Sequence, residues 1–139
     1  MKQNKMTIEG DKFRIILHQE KSEKGSTTID ACTSKNGSLT VGGYDLGPSV
    51  KELMGKSDYE YDATVAAEDK NSLYSALQKE LFNGHEDFSS WLDENGIHDI
   101  EASFNVVLLL MLKKLGHYPH EFDRWAQEHD IEVNFWTYP

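Results

Sequence analysis

Residues 57–65 read SDYEYDATV, and their side chains alternate in character with a period of two. Successive side chains of a β-strand point to opposite faces of the sheet, so this pattern predicts a strand over 58–66. One face of the strand carries the carboxylates of Asp58, Glu60 and Asp62. The other face carries Tyr59, Tyr61, Ala63 and Val65. We therefore expect the second face to lie against a core and the acidic face to lie in solvent.

The residues upstream also alternate. Three runs show this pattern, namely KFRIILHQ (12–19), STTIDACTS (26–34) and SLTVGG (38–43). Asn36-Gly37, between the second and third runs, is typical of a hairpin with a type I′ turn, which needs positive φ at both central residues. SEKG (22–25) supplies a turn between the first two runs. The upstream half therefore predicts three antiparallel strands joined by two hairpins.

The downstream half is dominated by helical periodicity. A short helix is predicted between Pro48 and Gly55, and longer ones from Glu68 or Asp69 to Asn83-Gly84, over 86–95, over 100–115 and over 119–129, before a last strand at 131–138. The segment 106–112 is apolar throughout, which is typical of a buried central helix. A buried strand over 103–109 is the alternative, but length and the stop at Gly116 favour the helix. These elements predict an α+β fold, with an antiparallel sheet of four to five strands and helices packed on one face.

The length of 139 residues predicts a single domain over 1–139. Within it, 1–66 forms mainly a β-meander, 67–130 is helical and 131–138 is the terminal strand. HEDFSSWLDENGI (85–97) and PHEFDRWAQEHDI (119–131) align at an offset of 34 residues, with Phe88 on Phe122 and Trp91 on Trp125. This echo predicts an internal duplication of a helix–helix unit. Chance similarity between two amphipathic helices is the alternative.

Charge and hydropathy exclude several classes of partner. The chain has 24 acidic and 14 basic residues and a net charge of −10. We expect neither nucleic acid nor an anionic membrane as a ligand, because both require clustered Lys and Arg. The longest apolar run, 106–112, is far shorter than the ~20 residues of a membrane span. The first residues lack the apolar run of a signal peptide, so we expect a soluble, cytoplasmic protein.

No catalytic pattern emerges from the reactive residue types. Cys32 is the only cysteine and is expected to be a small buried residue on a strand. His117 and His120 lie three residues apart, which is a weak metal signal without a third ligand. We therefore predict no catalytic residue, no metal and no cofactor. A small hydrolase or ligand-binding enzyme, with Glu60 and Asp62 as a glycosidase-like pair, remains the alternative.

The acidic residues are concentrated in one part of the sequence. No Lys or Arg occurs between Lys79 and Lys113. We expect acidic side chains from the 58–66 strand and the following helices to converge into one patch that binds a basic protein. The predicted partner-binding residues are Asp58, Glu60, Asp62, Tyr59, Tyr61, Glu86, Asp87, Asp93 and Glu94. A solvated charged face, or a general protein-interaction module, is the alternative.

The segment 39–65, LTVGGYDLGPSVKELMGKSDYEYDATV, resembles a family of small bacterial proteins of unassigned function. The matching features are Asp45-Leu46-Gly47, Gly55, the run 58–61 and Phe135-Trp136, and the extra 34-residue unit departs from the family pattern. The resemblance implies a bacterial source and an α+β fold, and it implies no active site. In general type, this small acidic domain looks like immunity proteins of bacterial toxin–immunity (contact-dependent inhibition) systems. That likeness implies inhibition of a basic toxin domain, namely a nuclease.

Overall fold

The computed structural model describes residues 6–47 and 58–138. The strands are β1 (Met6–Glu9), β2 (Lys12–Ser22), β3 (Gly25–Ser34), β4 (Leu39–Leu46), β5 (Asp58–Val65) and β6 (Asn134–Tyr138). The helices are α1 (Lys70–Leu81), α2 (His85–Glu94), α3 (Phe104–Leu115) and α4 (Pro119–Glu128), with a 3₁₀ turn at Ala67–Asp69 before α1. The short helix predicted between Pro48 and Gly55 lies outside the described residues.

The six strands form one antiparallel sheet in the order β1-β2-β3-β4-β5-β6. The chain makes a five-stranded meander, passes through the helices and returns to pair β6 with β5. The α+β fold with helices against an antiparallel sheet is confirmed. The sheet has six strands where four to five were expected. The additional strand is β1, which the sequence did not predict because it is short, largely exposed and without a clear apolar alternation.

The hairpin between β3 and β4 is confirmed, but its predicted turn type is wrong. The two strands are joined through residues 35–38, and neither Asn36 nor Gly37 has a positive φ. Instead, the Gly37 N–H donates to the Ser34 carbonyl over 3.3 Å. A longer loop of this kind leaves carbonyl groups turned inward, and these need donors from elsewhere in the molecule.

Lys70, the first residue of α1, supplies those donors. Its side chain is only 4 % exposed. Its ammonium donates to Thr33 Oγ1 over 3.0 Å, to the Ser34 carbonyl over 3.0 Å and to the Gly37 carbonyl over 3.2 Å. Burial lowers the pKa of this lysine. The loop conformation is therefore set by a residue more than thirty positions away, which local turn chemistry does not reveal.

The core lies between the helices and one face of the sheet. Helix α3 packs on β2 and β3, and α4 packs on β4 and β5. The apolar run 106–112 is helical, so the alternative of a buried strand is wrong. Val107, Leu108, Leu109 and Met111 are all fully buried, as expected for the central core helix.

The two helix pairs α1–α2 and α3–α4 have matching bounds. The 12-residue helices α1 and α3 begin at Lys70 and Phe104, an offset of 34, and the 10-residue helices α2 and α4 begin at His85 and Pro119, again an offset of 34. Their descent from an internal duplication stays a prediction.

The helices α2 and α4 also end in the same way. Gly96 and Asp130 follow them with φ of 70° and 60°. The next residue then donates back to the helix in both copies: Ile97 N–H to the Leu92 carbonyl and Ile131 N–H to the Ala126 carbonyl, each over 2.9 Å. This pattern of a left-handed residue and a backward bond satisfies carbonyls that a helix end leaves without partners.

Candidate functional site

The three carboxylates of β5 lie on the face of the sheet that the helices leave open. Asp58 and Glu60 are exposed and Asp62 is half-buried, while Tyr61, Ala63 and Val65 on the other side are buried. In the described part of the chain, none of the three carboxylates forms a salt bridge. The alternation read from the sequence therefore does separate an acidic face from a core face. Carboxylates on alternate residues of a strand are about 7 Å apart along the chain, so their charges repel one another.

Gly42 on β4 forms the floor beside these carboxylates. Its register partners are Asp62 on β5 and Asp30 on β3. A Cβ built on Gly42 would lie 2.7 Å from Asp62 Oδ1 and 3.3 Å from Asp30 Oδ1, so both carboxylates lean over the glycine. Arg14 Nε lies 2.5 Å from Asp30 Oδ2 and neutralises that carboxylate. Partial burial, together with the charges of Glu60 and Asp30, raises the pKa of Asp62.

Aromatic side chains flank the same carboxylates. Trp136 on β6 is the register partner of Asp62, and Tyr138 is the partner of Glu60. Trp136 is 58 % exposed and Tyr138 is 45 % exposed, whereas Trp is highly buried on average in folded proteins. Tyr44 on β4 is the partner of Glu60 on its other side. We call Tyr44, Asp58, Glu60, Asp62, Trp136 and Tyr138 the acidic–aromatic surface.

A shallow depression of about 580 Å³ lies at the centre of the open face, over Gly42 and between Arg14 and Glu60. It is broad and its walls are largely polar. Small-molecule sites are usually enclosed and mostly apolar. The depression is better suited to receive a protruding polar side chain of a macromolecule than to enclose a small ligand.

Tyr59 and Tyr61, which were predicted to bind the partner, face the other side of the sheet from the carboxylates. Tyr61 is 8 % exposed, and its hydroxyl donates to Asp45 Oδ1 over 3.1 Å. Burial and the charge of Asp45 raise its pKa. Tyr59 packs partly buried against the core, with its ring 5.5 Å from that of Tyr61. Neither ring is available on the acidic–aromatic surface.

The acidic side chains of α2 are also separated from that surface. Glu86, Asp87, Asp93 and Glu94 are exposed. Helix α2 belongs to the helical layer, because Phe88 packs against the rings of Tyr74 and Phe82. The sheet lies between this layer and the open face, so the seven predicted carboxylates do not converge into one patch. Asp87 has a local role, since its Oδ2 accepts the Asn83 N–H over 2.8 Å.

Cys32 lies on the open face and is exposed, so the expectation of a buried cysteine is wrong. It alternates with Ala31 and Thr33, which are the buried neighbours. Partial desolvation and the negative charge of Asp30 raise the pKa of the thiol. A thiol kept protonated in a negative environment is a poor nucleophile. Its position on the strand does not indicate a catalytic role.

The two histidines considered for metal binding pack against aromatic rings. His120 lies with its ring centroid 4.5 Å from that of Phe135 and 6.1 Å from that of Tyr61. His117 lies 6.4 Å from the ring of Trp125. Within residues 6–47 and 58–138, no group of three or more His, Cys, Asp or Glu side chains is arranged to hold a metal ion.

The residues that reasoning from sequence missed at this site are Asp30, Gly42, Tyr44, Trp136 and Tyr138. A signal for the last two was present: in NFWTY (134–138), Trp136 and Tyr138 alternate with Phe135 and Thr137. That alternation places the two aromatics on one face. It does not say that the face is the one shared with Asp62, because this depends on how β6 pairs with β5.

No helix in the described part of the chain is both long enough and apolar enough to cross a membrane. Comparisons with protein-family models, with curated proteins and with solved structures found no match.

Proposed function

We propose that this protein is a non-enzymatic binding protein that neutralises a cationic protein domain. The most concrete form of the proposal is an immunity protein that blocks a basic toxin domain, namely a nuclease. The observation that supports it is the acidic–aromatic surface, where three carboxylates that form no salt bridge with the described residues lie beside two exposed aromatic rings.

The carboxylates supply the electrostatic part of the interaction. The mutual repulsion of Asp58, Glu60 and Asp62 is relieved when cationic side chains approach, so these groups favour a basic partner over a neutral one. A nuclease binds nucleic-acid phosphates through Lys and Arg side chains. The carboxylates of this surface can form hydrogen bonds with the same side chains and so compete with the phosphates. Such a surface mainly accelerates association and orients the partner.

The aromatic rings supply the anchoring part. Trp and Tyr are enriched among the residues that contribute most to binding energy in protein interfaces. Trp136 and Tyr138 present large rings at the edge of the carboxylate row. Lys or Arg side chains stack favourably on such rings. The same partner side chains can therefore contact a ring and a carboxylate together.

The first experiment is to co-express the gene for this protein with the gene immediately upstream of it. We expect a basic protein to co-purify and to be inactive as a nuclease in the complex. The double variant Glu60→Lys/Asp62→Lys is expected to slow association at low salt by about tenfold or more, because steering by charge is strongest there.

The matched control is Asp93→Lys/Glu94→Lys, which makes the same change in net charge on α2, in the other layer of the molecule. It is expected to change the association rate little. Equal slowing by both double variants would show that only net charge matters. Unchanged binding in the β5 variant would remove the acidic–aromatic surface from the proposal, and hydrolysis of simple substrates by the isolated chain would favour an enzyme.

A further inference from the structure

Strand β6 forms one edge of the sheet. It is last in the strand order, and no described strand pairs with its outer side. Its sequence, NFWTY, contains no charged residue and no proline. Proteins usually protect an exposed edge with charges, proline or a bulge, because unpaired backbone groups recruit other strands. These three protections are absent from β6.

The register of the sheet identifies which backbone groups of β6 face outward. In an antiparallel sheet, hydrogen-bonded and non-hydrogen-bonded pairs alternate along each strand, and a residue bonds to only one of its two neighbours. The Lys35 N–H donates to the Asp11 carbonyl over 3.0 Å, so Asp11 and Lys35 are a hydrogen-bonded pair. The next pair along the two strands, Lys12–Ser34, is therefore non-hydrogen-bonded.

The same alternation, followed from that pair across β3, β4 and β5, shows which residue pairs between β5 and β6 are hydrogen-bonded. The alternation makes Asp30–Gly42 a hydrogen-bonded pair, Gly42–Asp62 a non-hydrogen-bonded pair and Asp62–Trp136 a hydrogen-bonded pair. Trp136 therefore directs its N–H and C=O to β5. Its neighbours Phe135 and Thr137 direct theirs to the open edge.

The two edges of the sheet differ in charge. By the same alternation, Ile8 directs its backbone groups outward from β1. On the open face next to β1, Lys12 lies opposite Glu9 and Arg14 is paired with Asp30, whereas the open face next to β6 carries Glu60 and Asp62, which form no salt bridge with the described residues. A cationic strand is therefore attracted to the β6 edge more strongly than to the β1 edge.

We infer that the cationic partner docks through an extended segment with Lys or Arg at alternate positions, and that this segment adds to the sheet as a strand beside β6. This inference rests on the proposed function. The partner residue opposite Trp136 would form a non-hydrogen-bonded pair, in which side chains are closest. A Lys or Arg there lies over the indole ring and extends towards Asp62. The partner residues opposite Phe135 and Thr137 exchange backbone hydrogen bonds with them. A second copy of this chain is a poorer occupant, because it brings a net charge of −10 and its own carboxylates.

The test uses two synthetic acetylated octapeptides, (Lys-Thr)₄ and (Lys-Pro)₄, with the full-length protein. They carry equal charge, but proline removes the N–H groups that would bond to β6. On addition of (Lys-Thr)₄, we expect the amide protons of Phe135 and Thr137 to exchange with solvent at least about tenfold more slowly. We also expect the Trp136 indole resonance to shift. (Lys-Pro)₄ is expected to leave both amide exchange rates unchanged.

A pair of variants tests the edge directly. Thr137→Pro removes an outward N–H of β6, and Ile8→Pro removes one of β1; neither N–H is used inside the sheet, so both variants are expected to fold. Thr137→Pro should bind (Lys-Thr)₄ about tenfold more weakly, and Ile8→Pro should bind it like the wild-type protein. If Thr137→Pro does not fold, the comparison of the two peptides still decides.

Several results would overturn strand addition at β6. These are equal binding of both peptides, no binding of (Lys-Thr)₄, protection at Ile8 instead of Thr137, or protection that appears with protein concentration alone, as a second copy would cause. If Glu60→Lys/Asp62→Lys weakens binding of the natural partner while Thr137→Pro does not, strand addition fails and the proposed function stands. If neither variant weakens it, both fail.

Discussion

The two faces of the sheet use alternate residues of the same strands for opposite purposes. On the closed face, Ile15, Ala31, Val41 and Ala63 are at most 1 % exposed and pack under the helices. On the open face, the side chains that alternate with them, such as Arg14, Cys32 and Asp62, are exposed or half-buried. Stability and recognition are therefore separated by a single step along the chain. Substitutions on the closed face should change stability, and substitutions on the open face should change binding.

The largest contrast is expected between two aromatic truncations. Phe122→Ala removes a ring that is 1 % exposed and should lower the free energy of unfolding by about 3–5 kcal/mol, because a cavity is left. Trp136→Ala removes a ring that is 58 % exposed and should cost at most about 1 kcal/mol. Urea denaturation measures both. Equal destabilisation would show that Trp136 is a packing residue. It would contradict the separation of stability on the closed face from recognition on the open face.

The next effect concerns the buried lysine at the margin of the closed face. Lys70→Met removes one hydrogen bond each from the Thr33 hydroxyl, the Ser34 carbonyl and the Gly37 carbonyl, and should cost about 1–3 kcal/mol. Lys79→Met, an exposed position on the same helix, is the control and should stay within about 0.5 kcal/mol of wild type. Thermal unfolding compares the two, and equal stabilities would mean that water replaces the ammonium.

Neighbouring glycines on β4 allow one substitution to be compared on the two faces. A Cβ on Gly43 would lie 2.2 Å from the Tyr61 ring, so Gly43→Ala must displace a buried side chain and should cost about 1–3 kcal/mol. A Cβ on Gly42 meets only the tips of Asp62 and Asp30, which can move. Gly42→Ala should therefore be within about 1 kcal/mol of wild type, since alanine also removes the entropy cost of glycine in a strand. A larger loss for Gly42→Ala would contradict the openness of that face.

The smallest effect is a stabilisation by a change on the open face. The pKa of Asp62 is raised by partial burial, Glu60 and Asp30, so the folded protein holds this proton more tightly than the unfolded chain does. The contribution of Asp62 to stability therefore falls as the pH rises through the window from the unfolded value, about 3.9, to the raised folded pKa. Asp62→Asn abolishes this loss.

At pH 7, Asp62→Asn should accordingly be more stable than wild type by up to about 0.5 kcal/mol, and the difference should shrink when the pH falls below about 4. Urea unfolding at the two pH values measures it, with Asp93→Asn as the control for the loss of one negative charge. A variant that is less stable at pH 7 would mean that Asp62 is held by favourable contacts. In the natural complex, the same variant should bind more weakly, which is the usual relation between a strained site and function.

The two helix pairs show how far a sequence pattern reaches. The spacing of Phe88 and Trp91, and of Phe122 and Trp125, correctly predicted two amphipathic helices, and both helices end with the same hydrogen bond. The burial of the two tryptophans differs. Trp125 is 7 % exposed, because α4 packs on the sheet, and its indole N–H donates to Glu80 Oε1 on α1 over 2.8 Å. Trp91 is only half-buried beside Phe82 and Phe88.

The errors of the sequence analysis share a cause. The turn after β3 depends on Lys70, and the division of the carboxylates between two surfaces depends on which layer receives α2. The exposure of Cys32 depends on which sheet face the helices cover. Each depends on contacts between segments distant in sequence, where periodicity and composition carry no information.

The order of residues alone sufficed for the strands β2 to β6, the four helices and the separation of Asp58, Glu60 and Asp62 from Tyr59 and Tyr61. These features follow from local geometry, since side chains repeat every 2 residues on a strand and every 3.6 on a helix. Only the tertiary structure decided that β6 lies beside β5, which brings Trp136 and Tyr138 next to those carboxylates and leaves Phe135 and Thr137 at an open edge. The reason is that strand pairing depends on the burial of one shared core by all segments together, and no single segment encodes it.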